Sequence, residues 1–127
     1  MSIPVGIENL RSESARFGVT PYLLTVAADG RPHSVSVTVA WDGDELVAKC
    51  GNRTLANVEA RPLVSLLWAP FEEGGYSLIV DGDGSVRGSG EEARAVIRPT
   101  RGVMHRPAAG PPPPGASCSD DCKPLLR

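Results

Sequence analysis

The segment GNRTLANVEAR, residues 51–61, places a cationic side chain at the start of a predicted helix. A helix N-terminus carries partial positive charge, so Arg53 in that position is disfavoured by up to about 1 kcal/mol. An anion held between the Arg53 guanidinium, the Thr54 hydroxyl and the free backbone N–H groups would reverse this penalty. A solvated arginine on an exposed first turn is the alternative. The spacing leaves both interpretations open.

Lys49 and Cys50 immediately precede this segment, at the end of a predicted strand. Side chains alternate along a strand, so Lys49 projects to the side opposite Leu46, Ala48 and Cys50. The lysine is either a second anion contact or a surface residue whose aliphatic stem covers apolar neighbours. We expect Cys50 to be a buried core thiol.

The stretch HSVSVTVAW, residues 33–41, alternates strictly between apolar and small side chains. One face of the predicted strand carries three valines and a tryptophan, and the other carries Ser34, Ser36, Thr38 and Ala40. The solvent face of a half-buried strand is normally polar and often charged. Here it is small, uncharged and rich in hydroxyls, which indicates a surface that lies against something else.

The side-chain patterns of known catalytic sites are not recognisable in the sequence. The two histidines, His33 and His105, do not lie near a serine nucleophile motif. Many of the carboxylates fall in predicted turns and loops, where aspartate stabilises the turn itself. Asp81 and Asp83 have the spacing of a cation site but lack the remaining ligands of a calcium loop. No metal ligand and no catalytic residue is therefore assigned.

Length and composition predict one folded domain. The chain has 127 residues, 41% of them hydrophobic, enough for one modest core. A net charge of −2 argues against a nucleic acid as the main partner. No apolar run approaches a membrane span, and the first residues lack a signal-peptide pattern. An odd cysteine count of three indicates a reducing compartment, so we expect a cytoplasmic protein.

Periodicity and turn residues divide residues 1–107 into two short helices and six strands. The helices are expected within residues 3–17, with Pro4 in the first helical position, and after an N-cap at Asn52. The strands are expected at 22–27, 33–41, 45–50, 63–70, from 76 onward through a turn or bulge at DGDG, and 93–99. The strand at 63–70 is apolar enough to be buried on both faces. Short strands in this order predict a mainly β, closed or nearly closed antiparallel barrel.

Residues 108–127, AAGPPPPGASCSDDCKPLLR, form a second region, a proline-rich tail with little to bury. Cys118 and Cys122 in this tail are candidates for a metal site or a redox pair. A zinc site needs about four ligands, and acidic neighbours raise the pKa of a thiol and reduce its reactivity. A disulfide and a passive tail remain the alternatives.

The order of strands, turns and helix resembles the split β-barrel superfamily of pyridoxamine-phosphate-oxidase-like proteins. Within it, the sequence is most similar to the flavin- and deazaflavin-dependent oxidoreductases common in actinobacteria. The resemblance is carried by LLTVAADGRPHSVSV, residues 23–37, and NRTLANVEARPLVSLL, residues 52–67. It implies a six-stranded split barrel that forms a homodimer, with FMN or coenzyme F-420 in a groove at the subunit interface.

The cofactor-binding residues that the resemblance implies are Ser34, Ser36, Thr38, Lys49, Arg53, Thr54 and Asn57. The small face of strand 33–41 would lie along the flavin or deazaflavin ring. Arg53 and Thr54 would bind the cofactor phosphate, with Lys49 as a candidate second basic contact and Asn57 supporting the loop. Thr25 matches a threonine of the family, and we expect its role to be mainly structural.

The implied function is FMN- or F-420-dependent oxidation or reduction of a small organic substrate, with the hydride carried by the cofactor. A non-catalytic carrier of flavin, deazaflavin or haem is the first alternative. A small barrel that serves as an interaction module and presents its tail is another. True pyridoxamine-phosphate oxidase activity is not expected, because the C-terminal segment that those enzymes use for their substrate is not recognisable.

Overall fold

The computed structural model describes residues 1–107, so the proline-rich tail with Cys118 and Cys122 lies outside the described residues. The elements in chain order are β1 (Ser2–Val5), α1 (Ile7–Phe17), β2 (Tyr22–Val26), β3 (Pro32–Ser36), β4 (Thr38–Asp42), β5 (Glu45–Lys49), α2 (Asn52–Ala60), β6 (Leu63–Trp68), β7 (Ser77–Arg87) and β8 (Arg94–His105). A short 3-10 turn at Gly90–Glu92 joins β7 to β8.

The strands form one antiparallel sheet in the order β3-β2-β6-β7-β8-β5-β4, with β1 paired to β8. The strands at the two ends of this order, β3 and β4, are consecutive in the chain and are separated by Val37 alone. The sheet must therefore curl until its two ends meet at Val37. This geometry is a split barrel, and the prediction of a mainly β fold of this class is confirmed.

The described residues form eight strands rather than the predicted six, for two reasons. Val37 divides the predicted strand 33–41 into β3, which pairs with β2, and β4, which pairs with β5. Residues Ser2–Val5 add a strand on β8, so the prediction of Pro4 in a first helical turn is wrong. Proline lacks an N–H group and is tolerated on such an outer strand.

Two smaller predictions are also wrong. Gly51 is the N-cap of α2, and Asn52 is its first helical residue. The strand predicted to be buried on both faces, β6, has one inner and one outer face because it lies in a single-layered barrel wall. Leu63 is accordingly 74% exposed, while Leu66 and Trp68 are buried.

The core fills the barrel interior with side chains from alternate strand positions. Its fully buried members include Leu23, Leu46, Leu66, Leu78 and Ile97. Each fully buried aliphatic side chain contributes about 1.5–3 kcal/mol relative to exposure, so this inner layer dominates the stability of the barrel.

The two helices lie on the sheet at glycines that permit a close approach. Leu10 of α1 covers Gly102 of β8, where an added Cβ would lie 2.5 Å from the Leu10 Cδ2 atom. Val58 of α2 covers Gly84 of β7, where an added Cβ would lie 2.7 Å from the Val58 Cγ1 atom. The Val58 contact fixes where α2 lies relative to the barrel. Neither helix within residues 1–107 is long and apolar enough to cross a membrane.

The run DGDG does not turn the chain. β7 continues through it, and its register with β8 shifts between Asp81 and Gly82, where Thr100 of β8 is the extra residue of a bulge; a bulge is one of the two outcomes expected from the sequence. A bulge lets a long strand bend without losing its partner, and β7 pairs with β8 over its whole length and with β6 over residues 78–83.

Candidate functional site

The outer edge of β3 presents backbone groups that no strand of residues 1–107 pairs with. The Val37 N–H donates to the Pro21 carbonyl at 3.0 Å, and the Ala27 N–H donates to the Arg31 carbonyl at 2.9 Å. In an antiparallel pair, hydrogen-bonded and non-hydrogen-bonded positions alternate. The N–H and C=O groups of Ser34 and Ser36 consequently point away from β2, towards the open edge.

The side chains at this edge have the alternation expected from the sequence. Ser34, Ser36 and Thr38 are exposed, while Val37 and Val39 are buried. The exposed face therefore combines short hydroxyl side chains with free backbone donors and acceptors. A flat, polar-edged molecule can approach such a surface closely, because no long side chain from this strand stands in its way.

Thr38 connects this edge with the start of α2. It lies opposite Lys49 in the β4–β5 ladder, and both side chains are exposed. β5 ends at Lys49, and α2 begins at Asn52 directly after it. The fold thus brings the small face of β3 and β4, the Lys49 ammonium group and the first turn of α2 into one continuous stretch of surface.

The first turn of α2 retains unused hydrogen-bond donors. The first helical hydrogen bond runs from the Leu55 N–H to the Gly51 carbonyl at 3.0 Å, so the preceding amides have no helical acceptor. The Arg53 side chain is exposed and makes no ion pair with a described carboxylate. The Thr54 side chain is 3% exposed, and its hydroxyl has no hydrogen-bond partner within residues 1–107. This donor set suits an anion.

Asn57 is buried at 4% exposure and holds α2 against the sheet. Its Nδ2 donates to Thr25 Oγ1 at 3.1 Å, and Thr25 Oγ1 also lies 3.4 Å from His33 Nδ1. The Asn57 Oδ1 accepts from Arg61 at 3.4 Å, and the Arg61 Nε donates to the Val26 carbonyl at 2.6 Å. This network places Asn57 in a positioning role, between α2 and the β2–β3 hairpin.

A pocket of about 200 Å³ opens beside the first turn of α2. Its lining residues come from the end of β5, from α2 and from the β7–β8 connection, and include Lys49, Cys50, Asn52, Glu91 and Arg94. Arg94 is the basic residue of this pocket that the sequence analysis did not single out. Its proximity to Lys49 depends on the register between β5 and β8, for which a single sequence carries no signal.

Cys50 is half-buried at this pocket rather than fully buried as expected, and it is a free thiol. Burial raises the pKa of the Cys50 thiol, while a hydrogen bond from the Ala95 backbone N–H and the nearby Arg94 guanidinium act in the opposite direction. Burial is the largest of these effects, so the thiol is protonated and weakly nucleophilic at neutral pH.

The remaining candidates for chemistry serve surface contacts. Asp81 and Asp83 pair with Arg101 and Arg98 across the β7–β8 hairpin, at 3.5 and 2.9 Å. His105 Nδ1 lies 3.2 Å from the hydroxyl of Ser2, far from His33 in the sheet. Within residues 1–107, no group of three or more histidine, cysteine and carboxylate side chains could hold a metal ion.

The outer face of the sheet next to Ser34 and Ser36 is apolar. Tyr22 and Leu24 lie opposite Ser36 and Ser34 in the ladder, and the Tyr22 side chain is 47% exposed. A groove of about 400 Å³ continues from Leu24 across to Leu63 and the neighbouring strands. We refer to the exposed or half-buried side chains of Tyr22, Leu24, Val26, Leu63 and Leu67 as the outer apolar face.

The chain has close relatives in mycobacteria. Uncharacterized proteins of Mycobacterium bovis and Mycobacterium tuberculosis are each 37% identical to it over 115 residues, which covers 80% of this chain and 81% of the relative. No protein-family model matches the chain.

Solved structures at lower identity share the fold. A candidate pyridoxamine 5'-phosphate oxidase of Listeria innocua has a TM-score of 0.62 at 19% identity, covering 75% of this chain and 97% of its own. An FAD-binding protein of Mycobacterium smegmatis has a TM-score of 0.59 at 12% identity, and the match covers 84% of this chain and 100% of that protein. An F420 reductase has a TM-score of 0.52 at 21% identity, and the match covers 66% of this chain and 88% of that protein.

Proposed function

We propose that this chain, which shares the split-barrel fold of pyridoxamine 5'-phosphate oxidase-like, FAD-binding and F420 reductase structures, is an FMN- or F-420-dependent oxidoreductase. Its substrate is a small organic molecule that exchanges a hydride with the cofactor. The observation that carries the proposal is the open edge of β3, which lies on one surface with the anion-binding groups of α2.

The ring of the cofactor lies along Ser34, Ser36 and Thr38. The carbonyl and nitrogen atoms at the ring edge are hydrogen-bond acceptors and donors that lie in the ring plane. They match the backbone N–H and C=O groups of Ser34 and Ser36, which point outward from β3. The short side chains allow the ring to approach the backbone. Ligand sites of this kind use a few fixed polar groups for orientation and apolar surface for affinity.

The phosphate of the cofactor lies at the first turn of α2. Arg53 supplies a guanidinium, the turn supplies free N–H groups, and Lys49 supplies a second positive charge next to Thr38. Thr54 supplies a buried hydroxyl with no partner in residues 1–107. The helix dipole strengthens this site, since its positive end meets the anion.

Bound flavin or deazaflavin supplies the hydride chemistry. The residues of this chain bind the cofactor, orient it and shield it from water. Ser34 and Ser36 fix the ring by its edge, and Arg53 fixes the phosphate end. Asn57 holds α2 so that both anchor points keep a constant separation. No acid–base side chain is assigned to the reaction.

We place the cofactor between two copies of the chain. The outer apolar face adjoins the ring site, and its exposed aromatic and aliphatic side chains favour burial against a second copy. A partner in that position would cover the ring and exclude water from it. Size-exclusion chromatography with light scattering tests this arrangement, and a strict monomer in the presence of bound cofactor would refute it.

Fluorescence titration of the purified apo-protein with FMN and, separately, with F-420 tests the function. Micromolar or tighter binding of one cofactor supports the proposal and identifies the cofactor. Oxidation of the reduced, bound cofactor by an organic acceptor then establishes turnover. Tight binding without turnover by any acceptor in a broad panel would indicate the non-catalytic carrier instead, and binding of neither cofactor would refute both.

A further inference from the structure

Lys49 and Arg94 place two positive charges side by side on the barrel wall. The β5–β8 ladder pairs Val47 with Val96 and Ala48 with Ala95. One further step of this register sets Lys49 beside Arg94, and both residues line the 200 Å³ pocket next to α2. Like charges this close in space repel each other, so this arrangement calls for a counter-ion.

No carboxylate of residues 1–107 pairs with either charge. Arg16, Arg87, Arg98 and Arg101 each form an ion pair within 4.0 Å, whereas Arg94 forms none. Glu91 also lines the pocket, but its carboxylate makes no ion pair with Lys49 or Arg94. Arg94 is therefore a half-buried cation that lines this pocket without an ion-pair partner among residues 1–107.

Arg94 is held in place by the loop that precedes it. Its Nη1 donates to the Glu91 carbonyl at 3.0 Å and to the Ala93 carbonyl at 2.9 Å. These bonds fix one nitrogen of the guanidinium and leave Nε and Nη2 available to an acceptor. A guanidinium fixed in this way loses little conformational entropy when it binds an anion.

The pocket has the size and surroundings of an anion subsite. Its volume of about 200 Å³ equals that of about six or seven waters at about 30 Å³ each, which accommodates one phosphate group with its hydration. Asn52 places the N-terminus of α2 at the rim.

We infer that the Lys49–Arg94 pocket is a phosphate subsite and that Arg94 is the second guanidinium of the cofactor anchor. This inference rests on the proposed cofactor function and extends it to a residue on β8. Arg94 then couples the β7–β8 connection to cofactor binding, because the Glu91 and Ala93 carbonyls that hold the guanidinium belong to that connection.

The test compares each cofactor with its phosphate-free counterpart in the full-length chain. FMN is paired with riboflavin, and F-420 with its deazaflavin core. Arg94→Gln is expected to raise the Kd of the phosphate-bearing ligand by about tenfold or more, as for loss of a charge-assisted hydrogen bond. The Kd of the phosphate-free ligand is expected to stay within about twofold. Arg94→Lys should recover part of the affinity.

Arg101→Gln is the matched control, because Arg101 lies on the same strand and is exposed in an ion pair with Asp81. It should change neither Kd. An equal effect of Arg94→Gln on both members of a ligand pair, or no effect on either, would overturn the inference while leaving the proposed function intact.

Failure of the wild-type chain to bind any of the four ligands would overturn the proposed function itself. The anion pocket is then tested with inorganic phosphate in a thermal unfolding assay. A rise in Tm for the wild type and Arg101→Gln, but not for Arg94→Gln, supports the subsite. No difference between Arg94→Gln and the wild type overturns it.

Discussion

Asn57→Ala tests whether the buried polar network is what holds α2 in place. The substitution removes the donor to Thr25 Oγ1 at 3.1 Å and the acceptor of the longer Arg61 contact at 3.4 Å. Asn57 and Thr25 are 4% and 2% exposed, so water does not replace the lost partner without rearrangement.

The expected loss follows from those contacts. A buried hydrogen-bonding group left without its partner costs about 1–3 kcal/mol, and the truncated side chain leaves a small cavity in addition. We expect the free energy of unfolding to fall by about 2–3 kcal/mol, measured by urea denaturation of the apo-protein. Asn9→Ala, at an exposed position of α1, is the control and should change it by less than about 0.5 kcal/mol.

A double-mutant cycle isolates the hydrogen bond from the cavity. Thr25→Val removes the acceptor at nearly constant volume, so Asn57→Ala should cost about 1 kcal/mol less in that background than in the wild type. Strict additivity of the two substitutions, or a loss below about 0.5 kcal/mol for Asn57→Ala alone, would refute the assigned role of the network.

Three further predictions address the cofactor site. Arg53→Ala should weaken binding of FMN or F-420 by about 1.5–3 kcal/mol, and the loss should lie near the lower value because the Arg53 side chain is exposed. Unchanged affinity in a fluorescence titration would remove Arg53 from the site. Ser36→Leu should abolish binding while the far-ultraviolet circular dichroism spectrum stays unchanged; normal binding would contradict the ring position. Cys50, in a chain with Cys118→Ser and Cys122→Ser, should react with iodoacetamide more slowly at pH 8 than an unfolded thiol does, because burial raises its pKa. The free energy of unfolding should correspondingly fall as pH rises from the unfolded pKa towards the folded one.

Local patterning was sufficient to predict most elements. The alternation of residues 33–41 identified which side chains are exposed, and it holds across Val37 although the strand divides there. The alternation depends on backbone geometry that every extended segment shares, so it does not require knowledge of the pairing partner. The helix after Gly51 and the strands around it followed from the same kind of local signal.

Predictions that depended on neighbours in space were wrong. Pro4 was placed in a helix because its fixed φ suits a first helical turn, but pairing with β8 favoured an extended chain. Leu63 was expected to be buried because hydropathy does not distinguish a two-sided strand from a barrel wall with one outer face. In both cases the deciding contact lies far away in sequence.

The sequence by itself determined that the chain is a small β-rich domain with a cationic helix start and a small, uncharged strand face. These properties follow from residue types and short-range spacing. Only the tertiary structure decided that the two features share one surface, because the Thr38–Lys49 register joins them. It also decided that Arg94 lies beside Lys49, since strand register is set by packing of the whole barrel rather than by residues near either position.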